Sequence, residues 1–142
     1  MQSVYLIREH IEMREHFEEF TNIMLEMLPE TRDKYEKSVK DNGTVLETVI
    51  IEDVFMPSIL ILLNEGYDHL LLQRIFSYFE EIYSGDDKYL QGIITVAALE
   101  SLGNETKILE TARKFMGPKT EEQQILADIA LGRLRQRMPE NT

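Results

Sequence analysis

VLETVIIEDVFMPSILILL, residues 45–63, decides how the rest of the chain is read. Thirteen of its nineteen residues are apolar. Wound on a 3.6-residue helix they leave no broad polar face, which predicts a helix buried on most sides. A membrane span is the rival reading. Glu47, Glu52, Asp53 and Pro57 interrupt the run, and each charge costs about 2.5–3.5 kcal/mol near a bilayer centre, so a helix surrounded by protein is favoured. The β-branched Val and Ile residues also suit a strand, but nineteen residues without Gly or a turn signal exceed strand length. Pro57 predicts a kink or break near Phe55.

Upstream, residues 3–28 predict a long first helix with an apolar stripe through Ile11, Phe17, Phe20 and Met24, ended by Pro29. A short charged helix over 30–41 stops at Asp41-Asn42-Gly43, and Thr44 with Glu47 has the form of a capping box. Downstream, Asp68 can cap a fourth helix running to Tyr83. Ser84-Gly85-Asp86-Asp87 ends it and caps a fifth over 87–102, expected to bury Tyr89, Leu90, Ile93, Ile94, Val96 and Ala97. A sixth helix covers 105–116. Thr120-Glu121-Glu122-Gln123 opens a last one reaching about Met138, with 138–142 a frayed tail. No strand alternation survives. The expectation is an all-α, single-domain bundle over 1–142 with about seven helices, in which helices four and five, then six and seven, form HEAT-like αα hairpins of about 35 residues each.

The 142 residues suffice for one domain with its own core. Absence of Cys excludes disulfides, thiolate metal sites and a Cys nucleophile, and fits a cytoplasmic setting. The N-terminus has no basic n-region, so no signal peptide is expected. The net charge of −11 is uneven: residues 1–105 carry 21 acids against 8 bases, and 106–142 carry 5 against 7. An acidic body repels phosphate backbones and anionic lipid, so neither nucleic acid nor a membrane surface is expected as partner, whereas a basic protein is attracted.

Glu100 falls, on a straight fifth helix, among Tyr89, Ile93, Val96 and Ala97. It is therefore expected as a buried structural carboxylate satisfied by Arg74, a Tyr hydroxyl or backbone amides, and its removal is expected to cost about 3–5 kcal/mol if it strands a buried cation. Glu12, His16 and Glu19 line one face of the first helix, a geometry a metal could use, but a solvated face explains them better. Glu52-Asp53, Glu80-Glu81 and Asp86-Asp87 are paired carboxylates without a fixed separation, a Ser/His/Asp grouping or a Gly-rich loop beside them. No catalytic residue, metal or cofactor is therefore assigned. Arg133, Arg135 and Arg137 are read as cations complementing the dipole of a last helical turn.

Leu28-Pro29, Glu52-Asp53 in an apolar helix, and Phe79-Glu80-Glu81-Ile82-Tyr83-Ser84-Gly85-Asp86-Asp87 running into Val96-Ala97-Ala98-Leu99-Glu100-Ser101-Leu102 together resemble a family of small acidic bacterial domains of unknown function. The resemblance covers roughly residues 17–118. It implies a candidate immunity protein, an acidic partner encoded beside a secreted polymorphic toxin. The expected function is thus a non-enzymatic interaction module that binds and neutralises a basic protein, with Glu80, Glu81, Asp86 and Asp87 as the residues meeting it. The alternatives are a helical scaffold or adaptor without a toxin, and a carboxylate-based metal-dependent hydrolase.

Overall fold

The computed structural model describes residues 2–66 and 68–133, and in it the apolar stretch becomes a largely buried helix in a bundle with six others. These are α1 (Gln2–Met27), α2 (Arg32–Asn42) after a 3-10 turn at Pro29–Thr31, α3 (47–65), α4 (His69–Ser84), α5 (88–102), α6 (Thr106–Arg113) and α7 (Pro118–Ala130). The described residues contain no strand and form a single helical domain.

α3 buries Ile50, Ile51, Val54, Phe55, Met56, Ile59 and Leu63, each such side chain contributing about 1.5–3 kcal/mol. Glu52, Asp53 and Ile61 occupy the strip that faces solvent. Phe20 of α1 meets Phe55 of α3 edge-on at 6.3 Å and stacks on Tyr78 of α4 at 5.9 Å, so one ring joins three helices. Pro57 does not break α3. The turn ahead of it, Ile50–Phe55, is π-helical, with the Met56 N–H donating to the Ile51 carbonyl five residues back. A proline ring collides with the carbonyl four residues before it and offers no N–H, and a widened turn relieves both problems.

A second π-helical segment, Thr95–Leu99, lies inside α5 and packs against the first. Its extra residue per turn rotates everything beyond it. Ala97, Ala98, Leu99 and Leu102 face the core, while Val96 is half exposed and Tyr89, ahead of the segment, lies at the surface. The expectation that Glu100 is buried is overturned: it is not among the buried residues of α5, because the helix turns Leu90 and Ile94 inward rather than the expected stripe through Tyr89 and Ile93. Glu100 is only partly covered, and its carboxylate has no partner among the described residues. Arg74, its expected partner, is exposed on α4. The buried carboxylate among the described residues is Asp128 of α7, 1% exposed, which accepts from the fully buried Gln124 at 3.3 Å. Gln124 also donates to the Leu99 carbonyl at 3.0 Å, tying α7 to the end of α5.

Three further expectations change. The Thr44–Glu47 capping box does not form: α3 starts at Glu47 itself, and that carboxylate accepts from the Tyr89 hydroxyl at 2.5 Å. α6 and α7 do not pair chiefly with each other, since α6 packs on α3 and α7 on α4 and α5. α7 stops at Ala130 rather than near Met138. Gly132, at φ 71°, supplies the left-handed residue of a Schellman motif, with its N–H donating to Ile129 O at 3.0 Å and the Arg133 N–H to Asp128 O at 2.8 Å. Arg133 thus lies beyond the helix and reaches across to Glu100 O (2.9 Å) and Asn104 Oδ1 (2.6 Å), where it caps the end of α5. Arg135, Arg137 and the tail 138–142 lie outside the described residues.

Candidate partner-binding surface

The four carboxylates singled out in the sequence divide into two pairs. Glu80 and Asp87 work inside the fold. Glu80 Oε1 accepts from the Thr120 N–H (2.8 Å) and hydroxyl (2.9 Å), and Oε2 accepts from the Lys119 N–H (3.1 Å). These are the N–H groups that the first turn of α7 leaves without an intrahelical partner, so a side chain from α4 caps α7. Partial burial pushes the Glu80 carboxyl up, but the two amides, the Thr120 hydroxyl and the Lys119 charge outweigh it and hold it below the ordinary value. Gly117 makes room for this contact: a Cβ there would lie 2.6 Å from Glu80 Oε1.

Asp87 caps α5 through Oδ1, which accepts from the Leu90 N–H at 3.0 Å, and its Oδ2 meets His16 Nδ1 of α1 at 2.8 Å. Glu81 and Asp86 remain exposed. The structure therefore separates neighbours that the sequence presents as equivalent. Nothing in the dipeptide Glu80-Glu81 distinguishes a cap from a surface acid; the distinction depends on where Gly117 brings the start of α7.

Glu12, Glu15, Glu18 and Glu19 of α1 and Glu52 and Asp53 of α3 are also exposed. The four α1 acids have no ion-pair partner among the described residues. Among the described residues no three His, Asp or Glu side chains converge in a way that could hold a metal, and His16 pairs with Asp87 rather than with Glu12 or Glu19. No helix is long and apolar enough to cross a membrane among the described residues.

Sequence reasoning missed the role of Arg74, Tyr78 and Leu70, which line an open groove between α1 and α4. The available signal was Leu70, an apolar residue outside the stripe of Leu71, Leu72, Ile75, Phe76 and Phe79. Fold and surface together define a small acidic all-α domain with diverging free carboxylates. The chain belongs to the family described as "Domain of unknown function (DUF7674)", which matches residues 10–128. No curated protein and no solved structure matches the chain significantly.

Proposed function

We propose that this domain is a non-enzymatic, immunity-like module of the bacterial cytoplasm that binds a basic protein, such as a toxin domain, and neutralises it by occlusion. One observation carries the reading: α1 presents Glu12, Glu15, Glu18 and Glu19 to solvent without ion-pair partners among the described residues. Unneutralised surface charge of one sign raises the encounter rate with an oppositely charged partner and falls off with salt. Glu81 and Asp86 extend the same sign beyond α1.

The test is co-expression with the basic product of a neighbouring gene. Growth inhibition by that product should be relieved, and the purified pair should associate more slowly as salt rises. Reversing Glu12 and Glu15 together should slow association further at low salt. An on-rate indifferent to both changes would refute the reading. A groove between α1 and α4 would also serve a second reading, a helical adaptor without a toxin, for which affinity should persist at high salt.

A further inference from the structure

α1 and α4 leave between them an open groove of about 520 Å³. Ile23 and Met27 form its α1 wall and Tyr78 its floor, and the stacking of Tyr78 on buried Phe20 braces that floor from beneath. Along α4, Leu70, Arg74, Tyr78 and Glu81 follow at steps of four, four and three residues, one face of a helix. The run from Leu70 to Glu81 covers about 16 Å, three turns.

The two ends of the groove differ in chemistry. Leu70 is 76% exposed at one end. One turn further in, Arg74 makes no hydrogen bond or ion pair among the described residues. At the other end stands Glu81, and Glu19 lies on α1 one turn before Ile23. Burial pushes the Tyr78 phenol well above its ordinary value, and the charges of Glu19 and Glu81 push it further. The groove is thus apolar along its floor, cationic near one end and anionic at the other.

We infer that this groove seats one amphipathic helix of the basic partner, with an acidic side chain on Arg74 and, two turns later, basic side chains on Glu81 and Glu19. This rests on the proposed function for the existence of such a partner. Arg74 and Glu81 are seven residues apart, about 10 Å along the axis, so the partner's acid and base must also be about seven residues apart. A helix is stabilised by acids near its N-terminus and bases near its C-terminus, so the partner helix runs parallel to α4. Its apolar face, at i, i+3, i+4 and i+7, covers Leu70, Met27 and Ile23. The paired carboxylates repel a nucleic-acid backbone, which leaves a protein segment as the occupant.

The probe is a synthetic 18-residue helical peptide, blocked at both ends, with Leu on the apolar face, Glu near its start and two Lys about seven residues later. Its isomer, of the same composition, carries the two Lys near its start and the Glu about seven residues later. Fluorescence anisotropy at low salt should show the first binding about tenfold tighter than the isomer. Arg74→Glu combined with Glu81→Lys, both at exposed positions, should invert that preference without changing the urea midpoint. Methyl NMR shifts should map to Ile23, Met27 and Leu70. Failure of both peptides to bind, or a preference that the double variant leaves unchanged, overturns the groove assignment. If the neighbouring basic protein is still bound in a salt-dependent way that Glu12 and Glu15 control, the proposed function stands while this seat for it falls.

Discussion

Replacing Glu80 by Ala should unfold the protein more easily by an amount the structure lets us work out. Its carboxylate takes two backbone N–H groups and one hydroxyl from the first turn of α7. Lys119 is exposed, so water can replace the acceptor there at little cost. Thr120 is fully buried, and its N–H and hydroxyl lose the Glu80 acceptor, which costs about 1–3 kcal/mol for a stranded donor. Together with the lost cap, about 0.5–2 kcal/mol, the net loss should be about 2–3 kcal/mol. With a urea slope of about 2 kcal/mol/M, the midpoint should fall by about 1–1.5 M at pH 7.

The pH dependence of that loss has a definite sign. The carboxyl lies below its ordinary value of 4.5 in the folded protein, so its contribution is fully present above that value. It is lost as pH falls through the folded value, and the gap between parent and Glu80→Ala should close below about pH 4.5. Glu80→Gln, which keeps one acceptor oxygen, should give a smaller loss without that closure. Equal midpoints at pH 7 for parent and Glu80→Ala, or a gap that persists unchanged into acid, would refute the tertiary cap.

Other substitutions test the remaining assignments. Gly117→Ala should lose about 1–3 kcal/mol in urea melts by driving its Cβ into Glu80, and the effect should shrink in a Glu80→Ala background. Asp68 sits at φ 56° and caps α4 through the Leu71 N–H at 3.2 Å, so Asp68→Ala should cost about 1–2 kcal/mol, whereas Asp68→Asn, which tolerates that backbone, should cost much less. Glu100→Ala should change stability by no more than about 0.5 kcal/mol, far less than a buried carboxylate would require. The Tyr89 phenol is pushed up to about 12 by its hydrogen bond to Glu47, by burial and by the Glu47 charge. Its raised value contributes stability that is present below its ordinary 10.0 and is lost as pH rises from there through about 12. Tyr89→Phe should therefore flatten that part of the alkaline stability profile, measured by urea melts.

The reading from sequence succeeded where local rules decide the outcome. Asp68 and Asp87 were legible as caps because a side-chain oxygen three residues before a free N–H needs no tertiary context. The apolar density of 45–63 identified the central helix for a similar reason, since its buried side chains have no alternative to the core. Periodicity fails at Glu100, because α5 turns Leu90 and Ile94 inward and leaves Tyr89 at the surface, a choice of face that only the packing makes. It fails again at Ala130, where Gly132 in the left-handed region stops the helix short of Met138.

The candidate surface divides along the same line. Composition alone determined that the chain is acidic, because charge is a property of residues and not of their arrangement. Which acids are free was decided only in three dimensions. Glu80 and Glu81 are adjacent and chemically identical, yet α7 begins beside one of them and solvent lies beside the other. A side chain's neighbours within its own helix follow from 3.6-residue periodicity, whereas its partners across 40 residues of chain depend on how helices dock, and that is a property of the packed core as a whole.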